Sequence, residues 1–481
     1  MVMQRSGNNP QPEIKMTTII NSKIGENKGN LRIWLEGGKL SRNGFQPNDT
    51  YSIITNDDSI IITKCNDGEY SVSRRMKGER ADPVIEVTSV RCKSMINFFE
   101  QDQLIRVVVT SQKIVITSHH LRNRIKQREE TFLNKINASE TMNVCELFYG
   151  YGVLARSAHD GFKSNGIKLK NSVIVERERK YIDASIEMNP DMFDAESIII
   201  ESAIQDVDIK NKMKVDLLFA GIPCTGASKS GRTKNKLASA EEHPDAGSMF
   251  FYFLKFLESS NPAAFVIENV CEYLNTESMA VIRSVANHLG YALHEVIIDS
   301  RDYGSIEERK RMLVIGVSVG LTNVVSYFDD EIAFYKKECI QTLNDIFEPI
   351  ADDHTAWKEY SYLADKEIRD LKAGKGFKRQ LLTGDNNKCG TIGRGYHKGR
   401  STEPFIKHPT NPHLSRLLTP VEHARVKDFP EKYLNPSLSN TLTHEVLGQG
   451  VVYSAFYAAF AALAKSMIKA LKGQPHLLKV A

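Results

Sequence analysis

From position 143 onward, short apolar runs alternate with longer stretches in which apolar and polar residues share a helical period. Residues 144–148, 172–175, 215–220, 264–268, 294–298 and 312–316 read as strands, and residues 180–188, 249–258 and 278–289 as amphipathic helices. This alternation predicts an α/β fold, a doubly wound and mostly parallel sheet with helices on both faces. Ligands of such sheets bind at the carboxyl ends of the strands. After Leu321 the pattern fades, and residues 323–440, rich in Lys, Arg, His, Gly and Tyr, read as a smaller, irregular domain. An apolar helix is expected over 451–471. Its alanines (Ala455, Ala458, Ala459, Ala461, Ala462 and Ala464) suit close packing against the main sheet, which returns residues 441–481 to the domain of residues 141–322.

Residues 1–135 read differently, as short β-branched runs separated by turns. The stretch IITNDDSIIIT (53–63) resembles VVVTSQKIVIT (107–117) at an offset of 54, and the same offset pairs Phe45 with Phe99. The repeat predicts a mainly-β domain made of one small unit duplicated, each copy too small to bury its own apolar face. The first copy, LRIWLEGGKLSRNGFQPNDTYSI, is similar to the AbrB-type or SymE-type swapped-hairpin module, and two copies would close one barrel. DNA binding and dimerisation follow from that resemblance; a domain used only for packing is the other reading. The charged stretch 119–135 reads as a linker helix with a solvated face.

Composition narrows the class. The 481 residues, 41% hydrophobic and 25% charged, suit two or three globular domains. No run approaches the ~18 apolar residues of a membrane span. Seven scattered cysteines without a C-x-x-C argue against disulfides and structural zinc, and no metal site is expected. Residues 1–15 lack an apolar signal core, so a cytoplasmic protein is expected. A net charge of +4 permits a polyanionic partner without demanding one.

Candidate chemistry clusters at the expected strand ends. Gly150 and Gly152 follow the first strand, where they serve either a plain turn or a cofactor approach. Glu176 ends the second strand, either as a surface carboxylate or as an acceptor for ribose hydroxyls. Cys224 follows Pro223 at a strand-to-loop junction, the place for a reactive thiol, although a lone cysteine is more often structural. Glu268 ends the next strand, and Arg309 and Arg311 precede the last one.

The ordered set Phe148-x-Gly150-x-Gly152, Pro223-Cys224, Glu268-Asn269-Val270 and Arg309-x-Arg311 resembles the cytosine-C5 DNA methyltransferases. Two further stretches extend the resemblance to the C-terminus, Arg416-Leu-Leu-Thr-Pro-Val-Glu-His-Ala-Arg-Val-Lys-Asp-Phe-Pro and Gly448-Gln-Gly-Val. The resemblance implies a Rossmann-like S-adenosylmethionine-dependent methyltransferase domain, with residues 323–440 as target-recognition domain. It implies Cys224 as nucleophile, Glu268 as acid at the base, and Arg309 and Arg311 as holders of the base. Phe148, Gly150, Gly152, Glu176, Pro223, Met249, Asn269 and Val451 would line the cofactor site. Ser228, Lys229, Ser230 and Arg232 would belong to a mobile DNA-binding loop over a flipped base. Thr225, Glu307, Ser202 and Gln449 depart from the family pattern and put cofactor affinity and loop closure in doubt. The implied partner is double-stranded DNA, with or without a cognate restriction endonuclease, in a bacterial, phage or plasmid setting and associated with the nucleoid. Two rival readings stay open: a transfer-RNA-type cytosine-C5 methyltransferase, and a catalytically degenerate DNA-binding regulator.

Overall fold

In the computed structural model, which describes residues 16–209, 213–224, 226 and 239–472, the apolar runs of the second half line up as one seven-stranded sheet. Its strands are β1 (Met142–Leu147), β2 (Leu169–Glu176), β3 (Ile198–Glu201), β4 (Leu217–Gly221), β5 (Ala264–Asn269), β6 (Tyr291–Asp299) and β7 (Lys310–Ser318). The order is β3-β2-β1-β4-β5-β7-β6. The first five in that order run parallel, while β7 lies antiparallel to both β5 and β6. The link from β6 to β7 is too short for a crossover, so β7 must turn back. β3 escaped the sequence reading because it is an edge strand with three of its four residues exposed.

Alternate residues of each strand feed opposite faces. Val144, Leu217, Phe219, Val266 and Ile315 join one core with helix α1 (Val153–Lys163), while Cys145, Leu218, Ile267 and Val314 join another. Helix α2 (Arg179–Met188) follows β2. Helices α3 (Met249–Ser260) and α4 (Glu277–His288) cover the second core. The stretch 416–430 turns out to be a helix start. Thr419 and Glu422 form a reciprocal capping box at α5 (Pro420–Val426), and Arg416 grips the buried Glu422 through two hydrogen bonds of 2.6 and 2.9 Å. Helices α6 (Asn440–Gln449) and α7 (Tyr453–Lys472) close the fold.

The alanines of α7 serve helix contact as well as sheet contact. At Gly161 of α1 a Cβ would stand 2.8 Å from Ala461 N, and Asn165 donates to Ala461 O at 3.1 Å. Phe460 reaches the sheet at Phe219, ring centroids 5.0 Å apart. No single helix among the described residues is long and apolar enough to cross a membrane.

Three expectations need correction. The helix Asn323–Ala333 is not part of an irregular domain, because Val324, Phe328 and Ile332 are buried in the same core as α7. The stretch after this helix is instead built on a four-stranded sheet in the order Lys358–Glu359, Leu414–Arg416, Pro404–Lys407 and Gln380–Leu382. The helix His120–Asn137 is no solvated linker in its second half. Phe132 and Leu133 are buried, and Arg128 reaches Ser318 at 2.9 Å, Gly290 O at 2.5 Å and the face of Tyr291 at 3.7 Å. Accordingly the chain divides into compact units at Lys126/Gln127, inside this helix and not at residue 135.

Within the first unit the repeat is geometrically exact in its hairpins: Thr50–Thr55 with Ser59–Lys64, and Leu104–Val109 with Lys113–Ser118. Each copy pairs with the other about one pseudo-two-fold axis, Ile61 facing Val115 and Ile33 facing Val87, 54 positions apart in both cases. The result is not a closed barrel. Short helices, Gly38–Ser41 and Met95–Phe98, carry each copy from a four-stranded to a six-stranded sheet, and both sheets share one core.

The close approach of α1 and α7 makes a stability prediction. Gly161→Val should cost about 1–3 kcal/mol through overpacking, read as a lower midpoint in thermal or urea unfolding of the whole chain. A variant that melts with the parent would show that the helices are not seated this way.

Candidate active site

The rim at the carboxyl end of the parallel strands gathers the expected residues in two groups. On one side, the chain leaves β1 with Phe148, Gly150 and Gly152 at positive φ (59°, 59° and 79°). For Phe148 this is a strained conformation costing about 1–3 kcal/mol. It is held by Tyr149 N donating to Val175 O of β2 at 3.1 Å. At Gly152 a Cβ would meet Tyr149 Oη at 2.4 Å, so glycine is required. At Gly150 nothing stands within 4 Å of where a Cβ would be, leaving the backbone open to a ligand.

Glu176, the last residue of β2, is oriented by three backbone donors. Gly150 N reaches one carboxylate oxygen at 2.7 Å, while Arg177 N and Glu178 N reach the other at 2.9 Å each. A ring, an open glycine backbone and a carboxylate therefore stand at neighbouring strand ends. That set fits a nucleoside, which needs a stacking face, close backbone approach and an acceptor for ribose hydroxyls. Ser202 follows β3 and its amide donates to Glu176 O at 3.0 Å, on the same rim. Met249 begins α3 and is buried; Val451 is buried between α6 and α7. Gln449 is tied to Tyr181 Oη at 3.0 Å.

On the other side, β4 and β5 pair in parallel with Gly221 opposite Glu268. Asn269 Nδ2 donates to Ile222 O at 3.1 Å, bracing the turn that carries Pro223 and Cys224, and its Oδ1 accepts from Val270 N at 2.8 Å. Because β7 runs antiparallel to β5, its beginning reaches the rim where the parallel strands end. Arg309 and Arg311 are thereby delivered to Glu268 and Cys224. Arg311 Nε lies 3.2 Å from Glu268 Oε1. Arg309 is buried, and its Nε has no hydrogen-bond partner among the described residues.

Burial pushes the Cys224 thiol above its ordinary value; Arg311 and Arg309 pull it back, and Glu268 opposes them. Burial likewise raises Glu268, against the pull of Arg311, Arg309 and Lys427. Burial thus works toward the proton-bearing form of Glu268, and the two guanidiniums work toward the ionised thiol. A half-buried thiol, a carboxyl and two cations converge there, which suits addition of sulfur to an electron-poor ring.

The loop residues Ser228, Lys229, Ser230 and Arg232, and the departing Thr225, lie outside the described residues. Two groups near the site had no expected role. Lys427, within the sequence motif of α5, forms a fully buried ion pair with Glu307, and Ile392 N donates to the other Glu307 oxygen at 2.9 Å. Glu307 stood out only as a departure from the family pattern. A lysine with no exposed surface is not readable from its neighbours in sequence.

The profile of the C-5 cytosine-specific DNA methylase family matches residues 142–465. The Type II methyltransferase M1.ScrFI of Lactococcus lactis subsp. cremoris is 26% identical over 274 residues, 56% of this chain and 66% of that protein. The Type II methyltransferase M.NlaX of Neisseria lactamica is 26% identical over 260 residues, 52% of this chain and 75% of that protein. Among solved structures, S. pombe Dnmt2 methyltransferase has a TM-score of 0.52 at 16% identity, covering 67% of this chain and 98% of its own, a likeness of fold. With two thirds of the chain matched by the profile, and the family's cysteine, glutamate and arginines gathered on one rim, the chain belongs to the C-5 cytosine-specific DNA methylase family.

Proposed function

We propose that this chain transfers a methyl group from S-adenosylmethionine to C5 of a cytosine in a specific sequence of duplex DNA. The observation that carries the reading is the convergence of Cys224, Glu268, Arg309 and Arg311 at the rim where β4 and β5 end and β7 begins. Phe148, Gly150, Glu176 and Ser202 would hold the cofactor, with Met249, Asn269 and Val451 shaping its surroundings. When bound, S-adenosylmethionine supplies an electrophilic methyl on a sulfonium centre.

The chain's own residues answer the chemical difficulty, which is that cytosine C5 is a weak nucleophile. The Cys224 thiolate forms a bond to C6, and the displaced ring electrons need relief at N3. Glu268, whose carboxyl burial pushes up against the pull of the arginines, would give its proton or a hydrogen bond there. C5 would then be an enamine carbon, nucleophilic enough for the sulfonium methyl that the cofactor supplies. Water accepts the proton lost from C5, the C5–C6 double bond re-forms as Cys224 leaves as thiolate, and Glu268 takes back the N3 proton. Arg311 orients Glu268, and Arg309 offers free donors to the base oxygen. The target base must leave the helical stack, at a cost of a few kcal/mol.

The family's description as a DNA methylase favours DNA over transfer RNA, and an intact constellation favours an enzyme over a degenerate regulator. A bacterial cytoplasm fits the bacterial sources of the relatives. The recognition region would read the groove, and the duplicated N-terminal unit would bind DNA or a second subunit. The chain would act either beside a cognate restriction endonuclease or without one.

Two outcomes test the reading. Wild type should be trapped irreversibly on duplex oligonucleotides carrying 5-fluorocytosine at the target, and Cys224→Ser should be neither trapped nor active while still binding cofactor. Near-normal turnover of Cys224→Ser, or trapping on transfer RNA alone, would overturn it. Glu268→Gln should lower the methylation rate by about 10²- to 10⁴-fold with cofactor affinity unchanged. Separately, exchange of residues 338–415, which leaves the core helix Asn323–Ala333 intact, for those of a relative should change the sequence methylated, as read by bisulfite sequencing; an unchanged site would place recognition elsewhere.

A further inference from the structure

Behind Arg309 sits a pair of charges with no access to water. Glu307 and Lys427 are both 0% exposed, and Lys427 Nζ lies 2.6 Å from Glu307 Oε2. The other carboxylate oxygen, Oε1, accepts a hydrogen bond from Ile392 N at 2.9 Å. Both oxygens are thus committed, one to the ammonium and one to the backbone amide of the recognition region. Burial pushes the Glu307 carboxyl up, but Lys427 and Arg309 outweigh it and hold it below its ordinary value, so the anion persists.

Arg309 is the neighbour that this arrangement controls. Its Nη1 is 3.5 Å from Glu307 Oε1 and donates to Ile392 O at 3.4 Å, both long contacts, and its Nε is unpartnered among the described residues. Its backbone cannot drift, because Arg309 N donates to Ser300 Oγ at 2.9 Å while that hydroxyl donates to Glu307 O at 2.5 Å. Only the side chain has a choice. It can face Glu268 and Cys224, or it can turn fully onto Glu307.

We propose that the buried Glu307–Lys427 pair is a positioning device that keeps Arg309 directed at the reacting base. Lys427 satisfies the carboxylate that would otherwise capture Arg309, and Glu307 pins the Ile392 peptide whose carbonyl holds the guanidinium. Without Lys427, a buried carboxylate would be left with one cation in reach. Leaving it unpaired costs more than surrendering a long hydrogen bond to a carbonyl, so Arg309 would turn to it. The same peptide ties this balance to the recognition region, since Ile392 shares a core with Tyr396 and Ile406 there and with Ile306 and Val426 beside the site. This inference rests on Cys224 acting as the nucleophile.

The test compares Lys427→Gln, Glu307→Gln/Lys427→Gln and Arg309→Ala in the full chain, using single-turnover trapping on 5-fluorocytosine duplex and equilibrium binding of S-adenosylmethionine. Lys427→Gln should trap at least about 100-fold more slowly, with cofactor affinity within about twofold of wild type. The double variant, which has no carboxylate to capture Arg309 and still accepts from Ile392 N, should recover to within about tenfold. In the Arg309→Ala background, Lys427→Gln should have little further effect. Trapping by Lys427→Gln at the wild-type rate, or a double variant as slow as the single, would overturn the proposal. Should Lys427→Gln fail to fold, the double variant decides: folded and fast supports it, folded and slow or unfolded refutes it and leaves the pair a scaffold. If wild type itself is never trapped, the fault lies with the nucleophile and not with this pair.

Discussion

Parallel pairing is the constraint on which the site depends. β1, β2, β4 and β5 all point the same way, so each must release its chain at one rim, and Phe148, Glu176, Cys224 and Glu268 arrive there without any long loop having to find them. The one strand that breaks the rule completes the set. β7 turns back between β5 and β6, and its first residues therefore stand where the others finish. That reversal is why the arginines stand at the start of their strand whereas the carboxylates and the cysteine come at the end of theirs or after it.

Charge in such a place is governed by desolvation. Glu268, Glu307, Arg309 and Lys427 are all shielded from solvent, and each burial penalises the ionised form. The arrangement divides the acids by environment. Glu307 has a lysine at contact distance and a backbone amide, and is held below its ordinary value; Glu268 has a longer contact with Arg311 and is pushed above its own by burial. Two carboxyls close to one another are thus shifted in opposite directions by environment rather than by residue type.

Much of this was readable from the chain. Strands β1, β2, β4, β5, β6 and β7 announce themselves because buried strands need continuous apolar runs, and the rim residues because glycines, a Pro-Cys and acidic strand ends have few other uses together. β3 did not announce itself, since an edge strand carries no burial signal in three of its four positions. The inward half of the helix His120–Asn137 was hidden by its charges. Arg128 looks like a solvated residue until the Tyr291 ring and the Gly290 carbonyl are seen to receive it. Lys427 was hidden for the same reason. A buried polar residue draws its partners from distant segments, and here Glu307 lies 120 positions away. The N-terminal repeat was legible as a repeat, but two small helices that break the hydrogen-bond ladder decided between barrel and paired sheets.

That repeat has a further consequence. A unit of this kind made from two separate chains would fall apart on dilution and would have to stay identical on both sides. With Ile61 against Val115 and Ile33 against Val87 inside a single polypeptide, assembly is independent of concentration and the twin halves are released from sameness. Substitutions in one half are not copied into the other, so evolution can give the near-symmetric body an asymmetric surface while the shared interior stays constrained by packing.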